Sequence, residues 1–163
     1  MSLRPGAIHE AGHAAMAITM GLRCFGVEAF EHPDAAGRIG VCYVESVSKL
    51  SDPSASAALA EIVTALAADA AIQAFTGSRP HPDRTASDRE HAGGIAGKFC
   101  SDATSRRVFL EGMAIFAAEL ADRPDVKRRT AFIAAALALK GRLNEQELRQ
   151  IIRQADSTQE AAR

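Results

Sequence analysis

The chain has 163 residues, 47% of them hydrophobic and 24% charged, a size and composition that suit one globular domain with its own core. Its formal net charge of -1, with Lys and Arg dispersed apart from Lys127-Arg128-Arg129, offers no basic field for nucleic acid. Glu61 and Asp69 interrupt the apolar stretch from Ala55 to Phe75, so no uncharged run reaches ~18 residues and no membrane span is expected; no signal-peptide pattern is present. Cys24, Cys42 and Cys100 match no zinc or redox spacing, which points to reduced thiols in a cytoplasmic protein, although the count leaves room for one disulfide. Richness in Ala, the best helix former, predicts a mainly α fold.

The first predicted helix runs from Arg4 or Pro5 to Met20, with Pro tolerated in the first turn and Gly21 placed to take a left-handed conformation after the end. It carries His9-Glu10-Ala11-Gly12-His13. Two histidines at i and i+4 lie on one face a turn apart, close enough to share a metal ion. This is the HExxH arrangement, in which both His ligate Zn2+ and the Glu is general base toward a water that the zinc activates. With 5 His and 11 Glu in the chain, the pattern would arise in roughly one shuffled sequence in a hundred. Ile8, Ala11, Ala15, Ile18 and Thr19 form one apolar side, so the helix is expected to be half buried, and Gly12 suggests close approach of another element.

From Cys24 the pattern becomes β-like, with runs at 25–30 and 38–44 separated by a turn-rich segment, His32 to Gly37, in which His32 reads as a solvated loop residue. A two-stranded ribbon is marginal alone and should lie on the helices, near the metal. Asp52-Pro53 reads as the start of a core helix, with Asp as cap and Pro at the first position. That helix carries Leu59, Ile62, Val63, Leu66, Ala70 and Phe75 at helical spacing and is ended by Gly77. After a loop through Arg84, Thr85-Ala86-Ser87-Asp88 resembles a capping box and opens a helix toward Phe99. Three amphipathic helices follow, at about 103–121, 125–140 and 144–155, the last with Asn144 as cap and Glu147 three positions on. The expectation is about six helices with a small hairpin or sheet near the active site, in one domain over 1–155, with 156–163 a frayed tail.

A catalytic zinc needs a third protein ligand and an open position for water. The compact form with a third His would require Gly and His at positions 16 and 19, where Met16 and Thr19 stand, so that class is excluded. By residue type the remaining candidates are Glu61, Glu90, Glu119, Asp69, Asp83, Asp88, His81 and His91. Asp88 lies in a first helical turn directly after a loop, but as a residue it reads first as a cap that favours the helix dipole.

HEAGHA, the strand segment GRIGVCYV, then ALAADAAIQAFTG, TASDREHA and the terminal GRLNEQELRQII together resemble the peptidase domain of FtsH-type ATP-dependent zinc proteases, over most of the chain and in the same order. The resemblance implies zinc held by His9, His13 and Asp88, Glu10 as base, and a strand by the cleft that carries Ile39, Gly40, Val41, Cys42 and Tyr43. Two features depart from the family. Ile72 and Gln73 replace its paired glutamates, and Ser87 stands for an Asn.

The resulting expectation is a zinc metalloendopeptidase-like domain hydrolysing extended or unfolded polypeptide, with a catalytically inactive metal-binding scaffold as the alternative. No GxxxxGK[ST] loop is present for ATP-driven unfolding, so substrate is expected already extended or delivered by a separate ATPase. Family relatives assemble as rings, which makes a homo-oligomer a further expectation. His91, one turn after Asp88, reads either as a solvent-exposed helix histidine, the more common case, or as an outer partner of the metal site.

Overall fold

A computed structural model describes residues 3–30, 39–46, 54–78 and 86–160. The expected turn at His32, the Asp52-Pro53 helix start, His81, Asp83 and the first residue of the Thr85 capping box lie outside these residues. Six helices and three strands follow in the order α1 (Pro5–Thr19), β1 (Cys24–Ala29), β2 (Gly40–Val44), α2 (Ala55–Thr76), α3 (Ala86–Ala96), α4 (Ala103–Asp122), α5 (Pro124–Lys140), β3 (Arg142–Asn144) and α6 (Glu145–Glu160). The expected mainly α fold with a small sheet is observed.

Helix α1 begins at Pro5 after an extended Arg4, and Gly21 beyond its end has φ +79°. It is more deeply set than its sequence suggests. Every residue from Ala7 to Ala17 is buried, including His9, Glu10 and His13. The expected half-buried stripe fails because α2 and α5 flank the helix and the β1–β2 sheet covers a further side. Small residues permit this packing: a Cβ on Gly12 would stand 2.6 Å from Ala71 Cβ and 3.2 Å from Ala67 O. The expected close approach at Gly12 is thus the crossing of α1 and α2.

Helix α2 is capped by Ser54, whose hydroxyl accepts from Ala57 N at 3.2 Å, and ends at Gly77 with φ +68°. The observed cap is therefore Ser54 in place of Asp52, a substitution of one good capping residue for another two positions away. By length and composition α2 passes as a membrane span, and 72% of its apolar window is buried within this fold. Leu59, expected in the core, instead sits on the outer side at 36% exposure.

The sheet has the order β2-β1-β3, both pairs antiparallel. Strand β3 is not anticipated from the sequence, where only its last residue, Asn144, is read, as a helix cap. Leu143 pairs with Val27, and both are fully buried. Asn144 also caps α6 as expected: its Oδ1 accepts from Glu147 N and its own N–H donates to Glu147 Oε2, each at 3.0 Å. Helix α6 continues to Glu160, past the point at which fraying is predicted. Helix α1 borders two apolar clusters. One joins Ile8 to Val27, Ile133, Leu137, Leu143 and Leu148, and the other joins Met16 to Ile62, Val63, Ile95, Ala117 and Val126.

Candidate metal centre

The i, i+4 spacing on α1 sets the imidazoles of His9 and His13 edge to face, 4.9 Å between centroids. Asp88, in the first turn of α3, reaches across to both: its Oδ2 is 3.3 Å from His9 Nε2 and 3.3 Å from His13 Nε2. Donor atoms bound at 2.0–2.2 Å to a tetrahedral ion stand roughly 3.3 Å apart, and the two His–Asp distances match that, with all three ligand atoms within 4.8 Å of one another. The polar satisfaction of the site agrees. Asp88 Oδ2 is buried without a directed hydrogen bond, although it lies at ion-pair distance from two rings; His9 Nδ1, across its ring from the Nε2 that faces Asp88, is also without one. Among the described residues, His9, His13 and Asp88 form the group able to hold a metal ion.

His13 is oriented from behind. Its Nδ1 lies 2.8 Å from the carbonyl of Thr64 on α2, which fixes the proton on Nδ1 and leaves Nε2 to face Asp88. No residue-type signal marks Thr64 in the sequence, because the group that matters is its backbone carbonyl. Burial alone would lower the pKa of His13, but the Asp88 carboxylate, Glu10 and the Thr64 carbonyl outweigh it and push His13 up to about 9. Burial likewise opposes ionisation of Asp88, and the two imidazoles overcome it, holding the carboxyl well below its usual range. Glu10 is buried, its Oε1 4.0 Å from His9 Nε2, and burial pushes its pKa up against the opposing pull of His13 and His9.

Strand β2 lies directly over this carboxyl. A Cβ at Gly40 would collide with Glu10 Cγ and with Glu28 O, so only glycine lets the strand pass there. Strand β2 is also an edge of the sheet, with β1 on one side and no described strand on the other. Ile39 precedes it and borders a cleft of about 600 Å3, lined also by Gly6, Phe30, Leu137, Leu139 and Lys140. Of the remaining strand residues Tyr43 is 45% exposed, Val41 is half buried, and Cys42 packs inward with its Sγ 3.7 Å from Cys24 Sγ, both thiols free.

Among the described residues, the other candidate ligands lie outside this group. Glu90 and Glu119 are exposed, and Asp69 accepts from Arg89. Glu61 accepts from Ser46 and from His91, whose Nε2 is thereby turned to Glu61. No protein-family model matches the chain, and no curated protein matches it.

Proposed function

We propose that this chain is a zinc metallopeptidase-like domain that hydrolyses extended polypeptide, the activity its FtsH-type resemblance implies. The observation that carries the reading is the convergence of His9, His13 and Asp88, their ligand atoms within 4.8 Å of one another, beside a buried glutamate and under an edge strand. Zinc held by these three residues would supply Lewis-acid polarisation of the scissile carbonyl and a water acidified toward neutrality. Glu10, buried beside His9, would be the general base toward that water and would return the proton to the leaving amine. The outer edge of β2, over Gly40 to Tyr43, holds the substrate by main-chain hydrogen bonds, which selects for extended backbone and only weakly for sequence. Gly40 keeps that backbone within reach of Glu10.

The test compares wild type and Glu10→Gln, both loaded with zinc, on a casein-like unfolded protein and on short peptides. Zinc content should be unchanged, and cleavage should fall by ~10²–10⁴ or more. Equal cleavage by the two proteins defeats the mechanism. A zinc-loaded wild type that cleaves neither substrate would instead favour the non-catalytic metal-binding scaffold.

A further inference from the structure

Glu61 is a carboxylate set in the middle of the most apolar helix and only 5% exposed. A buried carboxylate is costly unless it is hydrogen-bonded, and an alanine or leucine would serve the packing of α2 equally well. Its contacts account for its presence. Oε1 accepts from Ser46 Oγ at 3.0 Å and from His91 Nε2 at 3.0 Å. Ser46 lies two residues beyond β2, and His91 lies on α3 one turn after Asp88. One turn further along α2, Thr64 O takes the Nδ1 proton of His13.

A single stretch of α2 therefore reaches three parts of the site: one imidazole, the helix bearing the carboxylate ligand, and the exit of the edge strand. The His91 side chain is 50% exposed, so its bond to Glu61 is not a by-product of core packing. Helix α3 needs such a tie, because it buries only Ala92, Ile95 and Ala96. Its other polar link to α2, Arg89 to Asp69 at 2.8 Å, is made by a side chain 65% exposed, where ion pairs contribute little.

We infer that Glu61 is a positioning residue, holding Asp88 against His9 and His13 through His91 while anchoring the end of β2 through Ser46. This inference rests on the reading of His9, His13 and Asp88 as a metal site. Groups that hydrogen-bond a ligand directly typically change metal affinity 10- to 100-fold, and Glu61, acting one residue further out through His91, is expected at the lower end of that range.

The experiment is a Zn2+ competition titration against a chromophoric chelator, with the visible spectrum of the Co2+ form alongside, on wild type, His91→Ala, His91→Gln and Glu61→Met. His91→Ala and Glu61→Met should each bind Zn2+ about tenfold or more weakly and alter the Co2+ band. His91→Gln, whose amide can still donate to Glu61, should return to within about threefold of wild type. Because His91 is half exposed, the metal-free His91→Ala protein should melt within a degree or two of wild type, which separates positioning from general stability. Variants that all bind as wild type does, or a Gln variant as weak as the Ala variant, overturn the role of Glu61 alone. A wild type that takes up neither ion overturns the metal reading and this inference with it.

Discussion

Helix α1 buries every side chain from Ala7 to Ala17, whereas α3 buries three of its 11 residues. Both supply candidate ligands to one site. The histidines are fixed by close packing: α2 crosses at Gly12, α5 and β1 flank the helix, and Gly40 presses on Glu10. Asp88 sits on a helix with little apolar surface to bury, linked to α2 by the bonds of Arg89 to Asp69 and of His91 to Glu61. The difference teaches that two of the three candidate ligands are built into the core, while the third is borne by a helix with little buried surface. Damage on the α3 side should cost metal and spare stability. Damage on the α1 side should do the reverse or cost both.

The largest effect is expected from Asp88→Ala. Removing a ligand should exceed the 10- to 100-fold loss typical of outer partners, which corresponds to more than about 2.7 kcal/mol of binding free energy. The metal-free protein should lose only the modest stabilisation of the His13–Asp88 ion pair, and that loss should shrink as pH rises through 9. Zinc content after dialysis and a melting curve without metal check the two halves. Unchanged zinc would remove Asp88 from the site, and a large fall in melting temperature would break the contrast between the helices.

Next in size is Gly12→Ala. On an exposed helix this change would stabilise by roughly 1 kcal/mol through helix propensity. Here the added Cβ would lie 2.6 Å from Ala71 Cβ and 3.2 Å from a backbone oxygen, neither of which can swing aside. Overpacking of this kind costs ~1–3 kcal/mol, so the net sign should be destabilising. For a chain of this size that corresponds to a fall of a few degrees in melting temperature. A variant that melts above wild type would show that α1 and α2 are less tightly seated than described.

The same contrast explains what was legible in the sequence. HExxH is a local pattern on one helix, so His9, Glu10 and His13 could be read from spacing alone. Gly12 could be read as a point of close approach, since a glycine inside a helix needs a reason. The neighbours that bury α1 come from residues 24–29, 55–76 and 124–140, and no local pattern encodes that encirclement, so the helix looked half exposed. Asp88 carried two local readings, cap and ligand, and the resemblance, not the chemistry of the segment, placed it with the histidines. Glu61 was visible as a charge in an apolar run. Its partners Ser46 and His91 lie 15 and 30 residues away, so only the fold could show it as a tie and not a ligand. Strand β3 has three residues, too few for an alternation signal, and it exists because Val27 offers Leu143 a buried partner.

The smallest effect expected is the pH dependence of stability without metal, and it probes the junction between the two helices. His13 in the folded protein titrates at about 9, above its ordinary 6.5, so its contribution is complete below pH 6.5 and is lost as pH rises through 9. Asp88 is shifted the opposite way, so its contribution is complete above its ordinary 3.8 and is lost as pH falls below that. The His13–Asp88 pair therefore stabilises the metal-free fold most between about pH 4 and pH 6.5, by an amount that partial exposure of Asp88 keeps modest. Melting temperatures from pH 5 to pH 9.5 should decline over the upper part of that range in wild type and decline less in Asp88→Asn, where the partner charge is gone. Parallel curves for the two proteins would mean that α3 does not bring its carboxylate to His13 when metal is absent. The polar ties of α3 would then be too weak to preorganise the site, and metal itself would have to draw the third ligand in.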